Sequence, residues 1–133
     1  MRYLLDVNAL LALSLLHHEF HSRVVGWLKG ESSPALLTCS ITELGFVRVL
    51  AQIPAYGLTV TEAKRLLVDL KKNAVIPVQF VADGNDIATL PGWVKCPRQI
   101  TDGHLLKLAA THGASLATLD EKIPGAYPIP ALR

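Results

Sequence analysis

Short, mostly apolar runs that alternate with segments of helical periodicity constrain the fold more than any other feature of the chain. The clearest runs lie at residues 3–7, 35–39, 75–81 and 115–119, with a weaker one at 127–129. Apolar runs of this length are typical of strands that are buried on both faces in a parallel sheet. The pattern therefore predicts an α/β fold, with a parallel β-sheet of four to five strands flanked by helices.

Helix start and stop residues fill the segments between the runs. Gly30 and Gly113 are predicted helix stops, and residues 83–98 are predicted to form a connection rich in proline and glycine, with one short helix. Two capping boxes of the Ser/Thr-x-x-Glu type predict helix starts. The predicted helices cover residues 9–16 and 19–29, a segment opened by Ser40 with Glu43, a segment opened by Thr59 with Glu62, and residues 102–112 opened by Thr101.

Length and composition predict a single globular domain over residues 1–133. Half of the residues are hydrophobic, 18% are charged and the mean hydropathy is +0.34, which excludes a disordered chain. That much apolar material on a small body exceeds what one interior can hide, so we expect an oligomer or a complex. The apolar run at residues 9–16 is too short to cross a bilayer, and we interpret the chain as a cytoplasmic protein without a membrane segment.

The net charge of +2 excludes a large polycationic field, so any nucleic-acid contact must come from local clusters. Arg48 and Arg98 are the preferred candidates for RNA contacts, because they lie in or beside segments that lead to the carboxyl edge of the predicted sheet. The basic residues Lys64, Arg65, Lys71 and Lys72 recur on one predicted helix, where they either hold phosphates or form a solvated face. Two cysteines, Cys39 and Cys96, are too few for a disulfide framework and are predicted to lie in the core.

Four acidic residues are predicted to meet at the carboxyl edge of the sheet, where open α/β folds bind their ligands. Asp6 ends the first run and Asp120 ends the fourth, while Glu43 and Asp102 lie in the first turns of two predicted helices. Carboxylates this close repel one another unless protons or a cation neutralise them. Oxygen ligands of this kind suit Mg²⁺ or Mn²⁺, whose chemistry at a phosphate is metal-assisted phosphodiester hydrolysis.

Each of these acids also has a purely local role available, as a helix cap, a partner in a capping box, a complement to a helix dipole or a turn residue. Three histidines leave alternatives open as well. His17 and His21, four residues apart, either bind a transition metal or lie at a solvated helix start, and His104 either touches RNA or packs at the surface. No Walker loop or dinucleotide fingerprint is present, so no nucleotide cofactor of those kinds is expected.

The stretches LLDVNALLAL, SITELGFVRVL and TDGHLLKLAATHGASLATLD, together with the length, resemble the PIN-domain ribonucleases, specifically the VapC-type toxins of type II toxin–antitoxin systems. The resemblance spans nearly the whole chain. It implies a Mg²⁺- or Mn²⁺-dependent endoribonuclease that cuts structured RNA such as tRNA or rRNA and inhibits translation, a homodimer, and a cognate antitoxin as partner. It assigns the catalytic and metal-binding acids to Asp6, Glu43, Asp102 and Asp120, with polar support from Asn8 and Thr118.

Two positions depart from the family pattern. Val7 stands where a hydroxyl residue is common and removes one hydrogen bond near the first acid, and Gly103 stands where alanine is frequent. Neither change removes a ligand, so activity is still expected. Two other functions are kept as alternatives: a receiver-like Mg²⁺-binding signalling module, and a catalytically inactive PIN-like domain that binds RNA. The apolar early helices either form an antitoxin groove or belong to the core.

Overall fold

A parallel five-stranded sheet forms the centre of the fold in the computed structural model, which describes residues 1–132. The strands are β1 (Arg2–Leu5), β2 (Ala35–Thr38), β3 (Val78–Phe80), β4 (Ser115–Thr118) and β5 (Tyr127–Pro128). Their order across the sheet is β3-β2-β1-β4-β5, and every neighbouring pair is parallel. The predicted α/β fold with a parallel sheet of four to five strands is therefore confirmed.

Five α-helices and two short 3₁₀ helices connect the strands. The α-helices are α1 (Val7–Ser14), α2 (His21–Gly30), α3 (Ser40–Gln52), α4 (Val60–Asn73) and α5 (Ile100–Thr111). The 3₁₀ helices, Ile87–Thr89 and Pro97–Gln99, lie in the long connection between β3 and α5.

Several predicted boundaries are wrong in detail. Ser40 is not the cap of α3, because Cys39 is the N-cap and forms a capping box with Thr42. The cap of α5 is Gln99 rather than Thr101. The capping box of Thr59 and Glu62 at α4 is confirmed, with both hydrogen bonds present at 3.0 and 3.1 Å.

Each face of the sheet carries its own hydrophobic core. One core contains Leu4, Leu37 and Leu116 from the strands and packs them against Leu105 and Leu108 of α5. The other contains buried side chains of the first four helices and the opposite strand positions, Tyr3, Leu5, Leu10, Leu36 and Phe46 among them. Burial on both faces explains why the central strands β1, β2 and β4 are mostly apolar in the sequence.

The strand order bears on one alternative function. Receiver-like modules have the order 2-1-3-4-5, with the strand after the first crossover at the edge of the sheet. Here β1 lies at the centre, between β2 and β4, and successive strands extend outward on both sides of it. The receiver-like interpretation is therefore wrong.

The early helices belong mostly to the core. Leu10, Trp27 and Leu28 are buried, whereas Leu16 is 71% exposed at the end of the α1 region. Other large apolar side chains also lie on the surface, including Leu44, Val60 and Val75. Both cysteines are free, with Cys39 buried and Cys96 half-buried. Within residues 1–132 we find no helix with the length and apolar character needed to span a bilayer.

Candidate active site

Asp6 lies directly after β1 and caps the helix that follows. Its Oδ1 accepts a hydrogen bond from the backbone N–H of Ala9 at 2.9 Å, which satisfies one free donor at the start of α1. The residue is only 8% exposed. The predicted local role as a helix cap is thus present, and it fixes the carboxylate at the carboxyl edge of the central strand.

Thr118 joins the first acid to the last. Its hydroxyl donates to Oδ2 of Asp6 at 2.5 Å and accepts from the backbone N–H of Asp120 at 3.0 Å. This contact follows from the strand register, because Leu5 pairs with Ala117 and the next residues on the two strands are therefore neighbours. Asp120 itself is exposed, and its Oδ1 accepts from the N–H of Lys122 at 2.9 Å.

Asp102 approaches from the first turn of α5. The close packing of this helix start depends on Gly103, because a Cβ at that position would overlap a methyl group of Val94 and lie 3.4 Å from Pro91. The glycine that departs from the family pattern thus accommodates the connection before α5. In the same way, a Cβ on Gly45 would lie 2.6 Å from the side chain of Val7. Val7, the second residue that departs from the family pattern, therefore packs against a glycine of α3.

The three aspartates interact electrostatically. Burial raises the pKa of Asp6, and the negative charges of Asp102 and Asp120 raise it further, against the opposing hydrogen bonds from Thr118 and Ala9. Burial and the charge of Asp120 also raise the pKa of Asp102. Within residues 1–132 the ion pairs involve only Glu43 and Asp83 on the acidic side, so none of the three aspartates has a cationic partner.

A cavity of about 430 Å³ opens beside Asp102 and Asp120. Arg98, a predicted RNA contact, lines it. The sequence did not single out the other lining residues, Trp93, Gln99, Lys122 and Ile123. They come from the connection before α5 and from the segment after β4, which have no periodicity that would indicate their approach. An aromatic ring and two cationic side chains beside carboxylates suit a nucleotide with its phosphate.

Glu43 lies apart from the three aspartates. Its Oε2 accepts from Lys71 Nζ at 2.6 Å and from the Thr38 hydroxyl at 2.5 Å. Side chains alternate along a strand, so Thr38 lies on the same face as Leu36, opposite the face that carries Leu4 and α5. The structure therefore brings together Asp6, Asp102 and Asp120 and leaves Glu43 paired with a lysine at the end of the neighbouring strand.

The remaining candidate residues have simpler surroundings. Asn8 and Arg48 are exposed on α1 and α3, and neither lines the cavity. His17 is exposed in the turn between α1 and α2, and Nδ1 of His21 in α2 is engaged at 2.8 Å with the carbonyl of Ala12, which argues against a transition-metal site formed by the two. His104 is paired with Asp83, so of its two interpretations the structure shows a surface packing contact.

The donor chemistry of the three aspartates fits a hard divalent cation. In the part of the chain that the structure describes, no three carboxylate, imidazole or thiolate side chains lie close enough to hold one ion directly. Magnesium keeps several water ligands and is commonly held by one or two carboxylates, so closely clustered side chains are not required. Burial and then the negative charge of neighbouring aspartates raise the pKa of Asp6 and Asp102, and a bound cation would neutralise that charge.

Comparison with known proteins relates the chain to one family. A family model described as PIN domain matches residues 3–127. Ribonuclease VapC38 of Mycobacterium tuberculosis is 38% identical over 124 residues, covering 88% of this chain and 84% of that protein. Ribonuclease VapC44 of the same organism is 35% identical over 129 residues, covering 92% and 89%. The crystal structure of the M. tuberculosis sarcin-ricin loop cleaving toxin VapC20 shares the fold, with a TM-score of 0.60, 10% identity and coverage of 91% and 92%.

Proposed function

Since the chain belongs to the PIN domain family, we propose that it is a metal-dependent endoribonuclease, the toxin of a toxin–antitoxin pair. Relatives that are 35% and 38% identical across most of the chain are named ribonucleases. The observation that carries the proposal is the meeting of three aspartates, without a cationic partner among residues 1–132, beside a cavity that cationic and aromatic side chains line.

Asp6, Asp102 and Asp120 would hold a Mg²⁺ or Mn²⁺ ion, with at least one of the carboxylates acting through the water ligands that such an ion keeps. Such an ion, when bound, supplies an activated water for attack on phosphorus and offsets the negative charge that builds on the phosphate. Thr118 fixes the orientation of the Asp6 carboxylate and, through the backbone N–H of Asp120, the position of the segment that follows β4. Glu43 adds a fourth acid at the end of the neighbouring strand, with Oε2 already engaged.

The cavity residues position the RNA. Arg98 and Lys122 present positive charge on the wall that also holds two carboxylates, where they bind phosphate oxygens on either side of the bond to be cut. Trp93 offers a flat apolar face, and stacking of an unpaired base on such a ring contributes about 1–3 kcal/mol. Single-stranded loops expose bases in this way, which supports a structured RNA loop, in tRNA or rRNA, as the target.

Exposed apolar side chains support two protein partners. A groove between α3 and α4 is lined mainly by apolar side chains, among them Leu44, Val47, Val60 and Val68. A second groove, bordered by Leu13, Val25 and Val75, is almost entirely apolar. Exposed apolar surface of this kind marks protein contacts, and we assign it to a homodimer and to the cognate antitoxin.

The experiment is RNA cleavage by the purified chain and by Asp102→Asn. We expect the parent to cut RNA in Mg²⁺ or Mn²⁺ and to stop in EDTA, and the variant to lose at least 100-fold in rate while remaining folded. Asp69→Asn, an exposed carboxylate on α4, is the matched control and should cut like the parent. Sequencing of RNA 5′ ends after expression of each form then identifies the target.

Two results would contradict the proposal. Equal cleavage by the parent and Asp102→Asn would show that the aspartates do not hold the catalytic ion. Binding of RNA by the parent with no cleavage in either metal would favour the alternative of an inactive RNA-binding domain.

A further inference from the structure

Gln99 lines the cavity beside Asp102 and Asp120, and the backbone holds its side chain. Its Oε1 accepts hydrogen bonds from the N–H groups of Lys95 and Cys96 at 2.8 and 3.3 Å. Since two backbone donors face this atom, it is the carbonyl oxygen of the amide and not the nitrogen. The two hydrogen bonds therefore fix the orientation of the Gln99 amide.

The fixed amide can act toward a ligand only as a donor. A carbonyl oxygen has two lone pairs, and the two backbone N–H groups occupy both of them. Within residues 1–132 no acceptor is bonded to Nε2 of Gln99, and no buried side-chain nitrogen or oxygen lacks a partner, so this NH₂ group is open to solvent. The group with which Gln99 meets a molecule in the cavity is therefore a pair of N–H donors.

These donors belong to a stiff wall beside one of the aspartates. Gln99 is the N-cap of α5 and Asp102 follows three residues later, which places both side chains on the same side of the helix start. Both residues line the cavity, as does Trp93. Pro97 restricts the backbone of the 3₁₀ helix that ends at Gln99, and the N–H of Gln99 donates to the carbonyl of Cys96 at 3.0 Å. A base that enters the cavity thus meets donors whose position is set in advance.

Nucleobases differ in what they present to such donors. Guanine offers two adjacent acceptors, O6 and N7, whereas adenine has an N6 amine in the place of O6. A glutamine with a free oxygen recognises adenine through both ends of its amide, but the oxygen of Gln99 is occupied. The two purines present similar flat surfaces to the ring of Trp93, so stacking does not separate them. The amide of Gln99 does separate them, because it favours the base with the carbonyl group.

We propose that Gln99 selects guanine over adenine as the unpaired base that binds beside Trp93. The inference rests on the proposed nuclease function, because it names the base next to the bond that is cut. Gln99 donates to O6 and N7 of guanine, and Trp93 supplies the stacking surface. Uracil also presents a carbonyl group, O4, but its single ring covers less of the indole than a purine does, so it ranks below guanine.

The test is a set of hairpin RNAs with one common stem and a loop of cytidines that contains a single variable base. In Mg²⁺ we expect the parent to cut beside guanine with a kcat/KM about tenfold higher than beside adenine. Two analogues locate the contact. Hypoxanthine keeps O6 and N7 and should be cut like guanine, whereas 2-aminopurine lacks O6 and should be cut like adenine. Fluorescence anisotropy of labelled hairpins in EDTA, which removes the metal ion, should give the same order of affinities.

Gln99→Glu reverses the polarity of the contact. One carboxylate oxygen still accepts from the N–H groups of Lys95 and Cys96, but the other repels O6 of guanine and accepts from N6 of adenine. We expect the preference for guanine to be lost and adenine to be cut at least as fast. Because one protein cuts both RNAs, a general loss of rate from the added negative charge cancels in the ratio of the two rates.

Two further variants serve as controls. Gln52→Glu makes the same chemical change at an exposed position in the last turn of α3, away from the cavity, and should keep the preference for guanine. Gln99→Met keeps the length of the side chain but removes its polar atoms, and it should cut beside both purines at equal rates. If neither Gln99 variant folds, the two analogues still test the contact in the parent.

The outcomes separate this inference from the function on which it rests. Equal or slower cutting beside guanine than beside adenine or uracil by the parent would overturn the role of Gln99 while the nuclease stands. So would a preference that hypoxanthine does not share, one that a folded Gln99→Glu retains, or cutting of cellular RNA without cutting of the guanine hairpin. A parent that cuts neither the hairpins nor cellular RNA in Mg²⁺ or Mn²⁺ would overturn the proposed function together with this inference.

Discussion

The hydroxyl of Thr118 is the contact whose removal tests the site most directly. Thr118 is fully buried, and it joins the carboxylate of Asp6 to the backbone of Asp120. Thr118→Val keeps the shape and volume of the side chain but removes the hydroxyl. The variant therefore loses two hydrogen bonds without leaving a cavity.

The expected loss follows from the chemistry of the two bonds. A hydrogen bond to a charged group contributes about 1.5–3 kcal/mol, and the bond to the half-exposed N–H of Asp120 contributes about 0.5–1.5 kcal/mol. We expect Thr118→Val to lower the free energy of unfolding by about 2–4 kcal/mol at pH 7. With the urea dependence usual for a domain of this size, the unfolding midpoint falls by about 1–2 M.

The assay is urea unfolding at pH 7 in EDTA, followed by fluorescence and circular dichroism. Thr118→Ser keeps the hydroxyl and should lose about 1 kcal/mol for its missing methyl group. Thr111→Val, which removes an exposed hydroxyl that donates to the carbonyl of Lys107 and accepts from the Asn85 amide, should change the stability by less than about 0.5 kcal/mol. A Thr118→Val protein as stable as Thr118→Ser would refute the argument that the bond to Asp6 is a strong one.

Two further predictions concern Asp102 and Gly103 in the first turn of α5. Asp102→Asn should raise the free energy of unfolding at pH 7 in EDTA, because burial and then Asp120 raise the pKa of Asp102 and make its ionisation unfavourable in the folded state. The gain should be absent below the unfolded pKa near 3.8 and appear as the pH rises through the raised folded pKa, and urea unfolding at a series of pH values checks the sign. Gly103→Ala should lower the stability by about 0.5–2 kcal/mol, because overlap with Val94 outweighs the better helix propensity of alanine. Adding Val94→Ala should recover part of that loss in thermal unfolding, and a Gly103→Ala protein more stable than the parent would contradict the packing argument.

The sequence predicted the positions of the strands well because burial on both faces leaves long apolar runs. The later four predicted strands contain the observed ones, although residues 75–81 shrink to the three residues of β3, and the first prediction, residues 3–7, overlaps β1 but misses its first residue, Arg2. Asp6 and Asp120 could be placed at one edge of the sheet for the same reason, since each lies at the carboxyl end of a predicted strand. The helix caps were harder to predict, because Cys39 can cap α3 only when Thr42 supplies the second hydrogen bond.

The cavity wall could not be predicted from local patterns. Trp93 and Lys122 meet there because the connection before α5 folds back against the segment after β4, a contact between segments without periodicity. Lys71 lies 28 residues from Glu43, and its orientation depends on how α4 rotates against the sheet. Glu43 also has the spacing of a capping box with Ser40, which offered a local explanation that the structure does not use.

The face on which each polar residue lies is also hidden in the sequence. A strand with one buried face shows alternation, but the central strands here are mostly apolar on both faces, so alternation cannot indicate direction. The register decides instead: Leu5 pairs with Ala117, which places Asp6 and Thr118 side by side on the face that α5 covers. A shift of one residue would turn Thr118 to the opposite face and leave the buried carboxylate of Asp6 without its hydroxyl donor. The pairing of β1 with β4 is therefore what converts two separate acidic residues into one site.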